Sequence, residues 1–127
     1  MLDHVTIWIT DLARSAAFYD QALRPLGIER FASDGPNFAG YGADRKGFFW
    51  IGVRDAVPIG THIAFASPSH AIVDAFYAAA MAAGGKDNGP PGPRPQYHAH
   101  YYGAFVLDPD GHNIEAVCHA PETGATL

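Results

Sequence analysis

The sequence predicts an α+β domain of two βαβββ modules, whose sheets form an open, curled mixed-sheet cup with the helices on the outside. The first observation is an internal repeat, because His4-Val-Thr-Ile-Trp-Ile returns as His62-Ile-Ala-Phe-Ala-Ser. The second is that Ala-Phe-Tyr follows each copy at the same distance, ending at Tyr19 and at Tyr77. The third is the length of 127 residues, which suits one domain with one core.

Neither half is large enough for a stable core of its own, so the two sheets must pack together or pair with copies in another chain. We therefore expect a single domain over residues 1–127. Module one is expected at about residues 1–57, module two at about 58–119, and a tail at 120–127.

The first module begins with a strand, since apolar and polar residues alternate from His4 to Ile9. Asp11 stands where a helix N-cap is wanted, and apolar residues at helical spacing follow it. Pro25 and Gly27 end that helix. Turn-rich segments then separate three predicted strands, over residues 28–33, 38–42 and 48–53.

The second module repeats this order, with a strand from His62 and a helix capped by Ser67 or Ser69. The Pro/Gly-rich segment Asn88–Pro95 is expected to be an irregular loop. A hairpin is predicted at the end of the module, with strands over residues 101–107 and 112–118 joined by the turn at 108–111.

Composition and charge exclude several classes of protein. Eight Lys and Arg against 13 Asp and Glu give a net charge of −5. No basic run is present, which argues against nucleic acid and anionic membranes as partners. The longest nearly apolar stretch, residues 71–83, is too short to cross a bilayer. The single cysteine, Cys118, cannot form an internal disulfide, and this favours a reducing, cytoplasmic compartment.

Three residues from different strands are candidate metal ligands. His4 and His62 begin equivalent strands, and their aliphatic neighbours must face the helices, so both imidazoles face the concave side. Alternation places Glu115 on the same side of the last strand. Two imidazoles and a carboxylate in an apolar cup are the donor set of a divalent metal site. The alternative is that both histidines are ordinary hydrogen-bonded residues and that Glu115 pairs with Arg14 or Arg54.

Four segments carry a specific resemblance: His4-Val-Thr-Ile, Ala17-Phe18-Tyr19, residues 61–65, and the run from Phe105 to Glu115 with its Asp-Pro-Asp-Gly turn. With them the chain resembles the vicinal oxygen chelate superfamily from Leu2 to about Cys118. That group includes glyoxalase I, fosfomycin-resistance thiol transferases, extradiol dioxygenases and bleomycin-resistance proteins.

The resemblance implies a ligand set, since metal-using members hold a divalent ion with a His on the first strand of each half and a Glu on the last strand. His4, His62 and Glu115 match those positions. The resemblance also implies a homodimer and an ion such as Mn, Fe, Co, Ni or Zn.

The chain departs from the glyoxalase I pattern, which takes a fourth ligand from the last strand of the first half. Aligning Gly47 with Gly111 places Ile51 opposite Glu115, so no carboxylate is available there. Glyoxalase I activity is therefore not expected. Three ligands with open positions resemble the fosfomycin-resistance site and the dioxygenase triad. They imply a lyase, an isomerase or a dioxygenase whose small oxygenated substrate binds through adjacent oxygens.

A second cluster of polar residues, Tyr97–Tyr102, leads into the strand that pairs with that of Glu115. Strand alternation places His98, His100 and Tyr102 on one side and Tyr97 and Tyr101 on the other. His98 and Tyr102 are the candidate catalytic residues, as a general acid or base or as substrate hydrogen-bond partners. The alternative is that these rings merely cover the cup. His112 follows a turn and is expected to be exposed. The predicted substrate pocket is lined by aromatic side chains, with core packing as the alternative for the first three: Trp8, Phe49, Trp50, Tyr97 and Tyr101.

Two functions from different classes follow. The first is a metal-dependent enzyme acting on a small molecule, favoured by the joint presence of His4, His62 and Glu115. The second is a non-catalytic small-molecule binding protein of the bleomycin-resistance type, which needs no catalytic metal and which the many aromatic residues fit equally well.

Overall fold

The computed structural model describes residues 2–121, so most of the tail predicted at 120–127 lies outside the described residues. The first module comprises β1 (Val5–Ile9), α1 (Leu12–Ala22), a 3-10 turn (Arg24–Leu26), β2 (Glu29–Asp34), β3 (Phe38–Ala43) and β4 (Lys46–Val53). The second comprises β5 (His62–Ala66), α2 (His70–Ala82), β6 (Lys86–Pro93), β7 (Tyr102–Leu107) and β8 (Asn113–Cys118).

Each module forms its own four-stranded mixed sheet, with strand orders β1-β4-β3-β2 and β5-β8-β7-β6. The first strand of each module runs parallel to the last, and the other pairs are antiparallel. Neither sheet closes on itself within the described residues. The two βαβββ modules and the α+β class are therefore confirmed.

Both helices begin at the side chains that the sequence offers as N-caps. Asp11 caps α1, and its Oδ1 accepts a hydrogen bond from the backbone N–H of Arg14 at 3.0 Å. Ser69 rather than Ser67 caps α2, with its Oγ accepting from the backbone N–H of Ile72 at 3.2 Å. Neither helix, nor any other described helix, is long and apolar enough to cross a membrane.

The prediction of an irregular loop over Asn88–Pro95 is wrong, because Lys86–Pro93 forms strand β6. This strand lies at the edge of its sheet, so β7 is its one partner strand among the described residues. An edge strand tolerates prolines, which lack an N–H, provided that they fall where no ladder bond is needed. The register shifts on both sides of Gly89 show that the ladder between β6 and β7 is interrupted in the proline-rich part of the strand.

The buried aromatic residues join the two modules. Tyr19, Phe49 and Phe65 form a continuous ring cluster, with centroid distances of 5.1 Å and 5.3 Å between successive rings. Phe18 from α1 and Phe76 from α2 are fully buried in the same core. One face of each sheet is therefore occupied by this core, and the opposite faces carry the polar and aromatic residues considered for function.

The Asp-Pro-Asp-Gly turn also holds the modules together. The carboxylate of Asp108 is buried and accepts hydrogen bonds from the Tyr19 hydroxyl at 2.5 Å and from the backbone N–H of His112 at 2.8 Å. The His112 ring receives the Thr61 N–H at Nδ1 (2.9 Å), and its Nε2 donates to the Trp8 carbonyl (2.7 Å). The expectation that His112 is exposed is wrong, because packing of module one against the turn buries it to 2% exposure.

Candidate metal centre

His62 and Glu115 form an ion-pair contact on the face of the second sheet that points away from the core. Nε2 of His62 lies 3.1 Å from Oε1 of Glu115. Parallel pairing of β5 with β8 brings them together, since Ala64 is the register partner of Glu115 and His62 lies two residues earlier on β5. The Glu115 side chain is only 2% exposed, whereas that of His62 is 50% exposed. A buried carboxylate at this point needs polar partners.

The other nitrogen of His62 fixes the tautomer of the ring. Nδ1 lies 3.0 Å from the carbonyl oxygen of Asn113, and a carbonyl only accepts, so Nδ1 carries the proton. In the neutral ring, Nε2 is therefore a lone pair facing the carboxylate oxygen of Glu115. Two acceptors in such a position require a cation between them, either a proton or a metal ion. Metal-binding histidines commonly donate the opposite N–H to a carbonyl in this way.

Tyr101 supplies the second partner of Glu115, because its hydroxyl donates a hydrogen bond to Oε2. Burial, followed by this hydrogen bond and the carboxylate charge, raises the pKa of Tyr101 above its usual value. The phenol therefore remains a donor at neutral pH. The structure places Tyr101 directly at the carboxylate, a closer role than the pocket-lining one that the sequence predicts.

His4 lies apart from the His62–Glu115 pair. It precedes β1, is exposed, and contacts Asp3 at 2.8 Å through Nδ1. His4 and His62 both line a groove of about 430 Å³ between β1 and β5, which also involves Val5, Ala64 and other residues of these strands. Within residues 2–121, no three His, Cys, Asp or Glu side chains are grouped so that they could hold a metal ion. The single chain thus brings together two of its three predicted ligands.

The two candidate catalytic residues have partners outside this pair. His98 accepts the His100 N–H at Nδ1 (3.1 Å), and its Nε2 lies 2.5 Å from Nδ1 of the exposed His119. Tyr102 donates its hydroxyl to Asp74 at 2.7 Å, near the start of α2. A catalytic role for His98 or Tyr102 remains a prediction. The His98 ring lies beside that of Tyr101, with ring centroids 5.3 Å apart.

The predicted pocket aromatics divide into three environments. Phe49 is fully buried and packs in the core, although it also borders the groove between β1 and β5. Tyr97 is 59% exposed and packs edge-on against Tyr101. Trp8 and Trp50 lie half-buried on the face of the first sheet that points away from the core.

Glycines beneath these two tryptophans let both rings lie close against the strands. A Cβ atom at Gly40 would lie 2.7 Å from the Trp50 ring, and one at Gly52 would lie 2.7 Å from the Trp8 ring. Phe38 packs edge-on to Trp8, and the guanidinium of Arg54 lies 3.9 Å from the centre of the Trp8 ring. We call Trp8, Phe38 and Trp50 the aromatic floor of module one.

The register of the strands identifies the residue equivalent to Glu115 in module one. Thr6 pairs with Trp50 in the first sheet, and Ala64, its counterpart in the repeat, pairs with Glu115 in the second. The sequence alignment that placed Ile51 opposite Glu115 is therefore wrong by one residue. Its consequence stands, because Trp50 offers no carboxylate either.

The buried hydrogen-bonding role of Asp108 and His112 is absent from the expectations drawn from the sequence. The only available signal is that an Asp-Pro-Asp-Gly turn has an aspartate whose carboxylate commonly caps its own turn. Its reach to Tyr19, 89 residues earlier, depends on how the modules pack.

Paired βαβββ modules, with a histidine–glutamate pair on the sheet face that points away from the core, are the architecture of a known superfamily of proteins. The family model of the Glyoxalase/Bleomycin resistance protein/Dioxygenase superfamily matches residues 1–116, and the chain belongs to this superfamily. The resemblance predicted from the sequence is thus confirmed.

Solved structures give the same result. The chain is 32% identical to a glyoxalase/bleomycin resistance protein from Albidiferax ferrireducens, covering 93% of this chain and 98% of that one with a TM-score of 0.81. A variant of the fosfomycin resistance protein FosX from Listeria monocytogenes is 24% identical, with 91% and 87% of the two chains covered and a TM-score of 0.68. That protein was solved in complex with Mn(II) and 1S,2S-dihydroxypropylphosphonic acid.

Lactoylglutathione lyase from Agrobacterium tumefaciens is 15% identical, with 93% and 92% of the two chains covered and a TM-score of 0.70. At these identities, FosX and the lyase are similar to this chain in fold alone. Among curated proteins, no sequence matches the chain.

Proposed function

We propose that this protein is a divalent-metal-dependent enzyme acting on a small oxygenated molecule that binds through adjacent oxygens. His4, His62 and Glu115 would hold the ion, which we expect to be Mn, Fe, Co, Ni or Zn. The observation that carries this proposal is the contact between Nε2 of His62 and Oε1 of Glu115, both acceptors by the hydrogen-bond geometry, 3.1 Å apart. Two ligand atoms at ~2.1 Å from one metal and at right angles to each other lie roughly 3.0 Å apart, so the pair has the spacing of neighbouring ligands.

The chemistry follows from the donor set and its surroundings. A bound divalent ion supplies Lewis-acid stabilisation of negative charge on substrate oxygens. His62 is half-exposed and lines the groove beside β1, so a small molecule in that groove would lie next to it. Glu115, buried and bonded to Tyr101, provides the negative charge from the closed side. FosX, which has the same fold, binds Mn(II), and this supports metal binding by the fold.

The third ligand requires His4 to approach the pair. His4 precedes the edge strand β1, is exposed, and has a neighbouring acidic side chain as its hydrogen-bond partner among the described residues. Either β1 shifts across the groove within one chain, or a second copy supplies the histidine. We propose the second arrangement, in a homodimer, since exposed edges of two sheets are available for pairing between copies.

Metal content tests the proposal directly. The untagged protein is reconstituted with each ion in turn, dialysed and analysed by elemental analysis beside Glu115→Gln and His62→Gln. About one ion per chain is expected in the wild type, with affinity at least tenfold lower in either variant. His98→Ala is the matched control, because it removes a histidine that lies outside the pair. A wild type that takes up none of the ions would refute the metal site, and loss of metal in His98→Ala would make His98 a ligand.

A second function is favoured by the aromatic floor. The Trp50 ring lies over Gly40 and is suited to stacking with a planar ring, while the Trp8 ring already has the Arg54 guanidinium over its face. If the protein is a non-catalytic binder, planar aromatic probes should quench tryptophan fluorescence in the presence of a chelator. Trp50→Leu should weaken that binding, while Glu115→Gln should leave it unchanged. Absence of quenching by every probe under these conditions would refute the non-catalytic binder.

We further propose a cytoplasmic location, supported by the single, buried Cys118 in place of any disulfide. No nucleic-acid or membrane partner is proposed, in keeping with the net charge of −5.

A further inference from the structure

We propose that Tyr101 is a positioning residue, which holds Oε2 of Glu115 and so presents only Oε1, beside Nε2 of His62, to the metal ion. This inference rests on the proposed function, since it concerns the same ion. It goes further by explaining how the site would keep positions free for a substrate. The two carboxylate oxygens have different partners in the structure, namely His62 at Oε1 and the Tyr101 hydroxyl at Oε2.

The ring of Tyr101 is confined from several sides, as a positioning role requires. Tyr97, His98 and His119 pack edge-on around it, at centroid distances of 4.9, 5.3 and 5.3 Å. The backbone of Tyr101 is tied as well, because its carbonyl accepts the Arg94 N–H at 2.8 Å. Little freedom is left for the hydroxyl to leave the carboxylate. Residues that orient a ligand act through such locked geometry.

The residue beneath the contact leaves room for it. A Cβ atom at Gly103 would lie 3.2 Å from Oε2 of Glu115 and 3.2 Å from the Tyr101 ring. A side chain at this position would therefore crowd both the carboxylate and the phenol ring. The glycine on β7 leaves space for the contact between Tyr101 and Glu115.

The consequence concerns coordination. A carboxylate can bind a metal through one oxygen or through both. With Oε2 occupied by a phenol donor, Glu115 takes one position, and two histidines take two more. The remaining positions stay open to two adjacent substrate oxygens. Without the phenol, Oε2 is free to take one of those positions, and the buried carboxylate loses a hydrogen bond.

Cobalt(II) is the probe for the test, because its visible absorption reports the number and arrangement of its ligands. Chelator-treated wild type and Tyr101→Phe are titrated with Co²⁺ by calorimetry and by absorption. Phenylalanine keeps the ring packing and removes only the donor. Tyr97→Phe is the matched control, since its ring touches Tyr101 and it too loses only a hydroxyl. Thermal unfolding of the metal-free variants establishes that each is folded.

We expect an altered cobalt spectrum in Tyr101→Phe and about tenfold weaker binding, with Tyr97→Phe like the wild type. The spectrum decides, because a purely structural tyrosine would leave it unchanged. If the wild type binds cobalt and Tyr101→Phe has the same spectrum and affinity, the inference is refuted and the proposed function stands. If the wild type binds none of the ions, the proposed function and this inference are both refuted.

Discussion

Removing the hydroxyl of Tyr19 tests how strongly the Asp-Pro-Asp-Gly turn binds the two modules. Tyr19 is fully buried, and its hydroxyl donates to the buried carboxylate of Asp108 at 2.5 Å. Tyr19→Phe keeps the ring and its contacts with Phe18 and Phe49. Asp108 then retains only backbone donors, those of Asp110 and His112. A hydrogen bond to a charged group contributes about 1.5–3 kcal/mol, and a buried acceptor that loses one is not rehydrated.

We therefore expect Tyr19→Phe to lower the free energy of unfolding by about 2 kcal/mol. This corresponds to a decrease of roughly 6–10 °C in Tm for a chain of this size. Urea unfolding with a chelator present measures it without a contribution from bound metal. Tyr77→Phe is the control, because Tyr77 bonds the exposed Asp87 and its loss should leave stability unchanged. A change below about 0.5 kcal/mol in Tyr19→Phe would show that this bond does not hold the modules together.

Three further results are expected. The variants His4→Ala and Glu115→Ala are mixed under conditions of chain exchange, and bound metal is measured by elemental analysis. If each site combines two copies, about a quarter of the wild-type metal should return, because half of the dimers are mixed and each has one complete site. If each site lies within one chain, no metal should return. Alkaline pH should destabilise the fold, because burial, with the nearby carboxylates adding to it, raises the pKa of Tyr19 and of Tyr41. The folded state keeps its full stability below about pH 10, the pKa of tyrosine in the unfolded chain, and loses stability as the pH rises above that value. Tyr41→Phe should therefore flatten a plot of Tm against pH. Finally, His98→Ala should retain the metal but change turnover once a substrate is known, and an unchanged rate would remove His98 from the catalytic residues.

The repeat makes most of the fold predictable, because local signals determine it. Alternation around His4 and His62 is a two-residue pattern, and Asp11 and Ser69 are local caps, so none of these depends on distant contacts. Edge strand β6 lacks such a signal. Its prolines are compatible with pairing on one side only, and whether a partner strand is present there is decided by the whole sheet.

The positions of Tyr101 and Tyr102 show that strand alternation cannot be extended from a strand into the turn before it. Extending strand alternation back from Tyr102 to Tyr97 placed His98 and Tyr102 on one side of the sheet. In the structure β7 starts at Tyr102, and residues 94–101 form turns closed by backbone bonds such as that from the Tyr97 N–H to the Arg94 carbonyl. A turn does not keep the two-residue phase, so the residue that reaches Glu115 is Tyr101.

Turn length likewise explains the one-residue error opposite Glu115. The β3–β4 hairpin closes through Asp44 and Arg45, both with positive φ, as in a two-residue turn. The β7–β8 hairpin closes through residues 108–112 instead. Aligning the two modules on a turn glycine therefore shifts one strand against the other. The ladder of β1 with β4 identifies Trp50 as the true counterpart.

The correspondence between Trp50 and Glu115 shows that the two modules carry different side chains at the same place in the repeat. At equivalent places on matching strands, module two has Glu115, bonded to His62 and Tyr101, and module one has Trp50, lying over Gly40. A carboxylate that is buried needs a cation or donors, whereas a flat indole over glycine offers only apolar area and a π face. Under the proposed function, one half would supply the charged groups and the other a surface for stacking. A substrate that uses both halves would combine adjacent oxygens for the ion with a planar part for the floor, and the Glu115→Gln and Trp50→Leu variants would each remove one of these contributions.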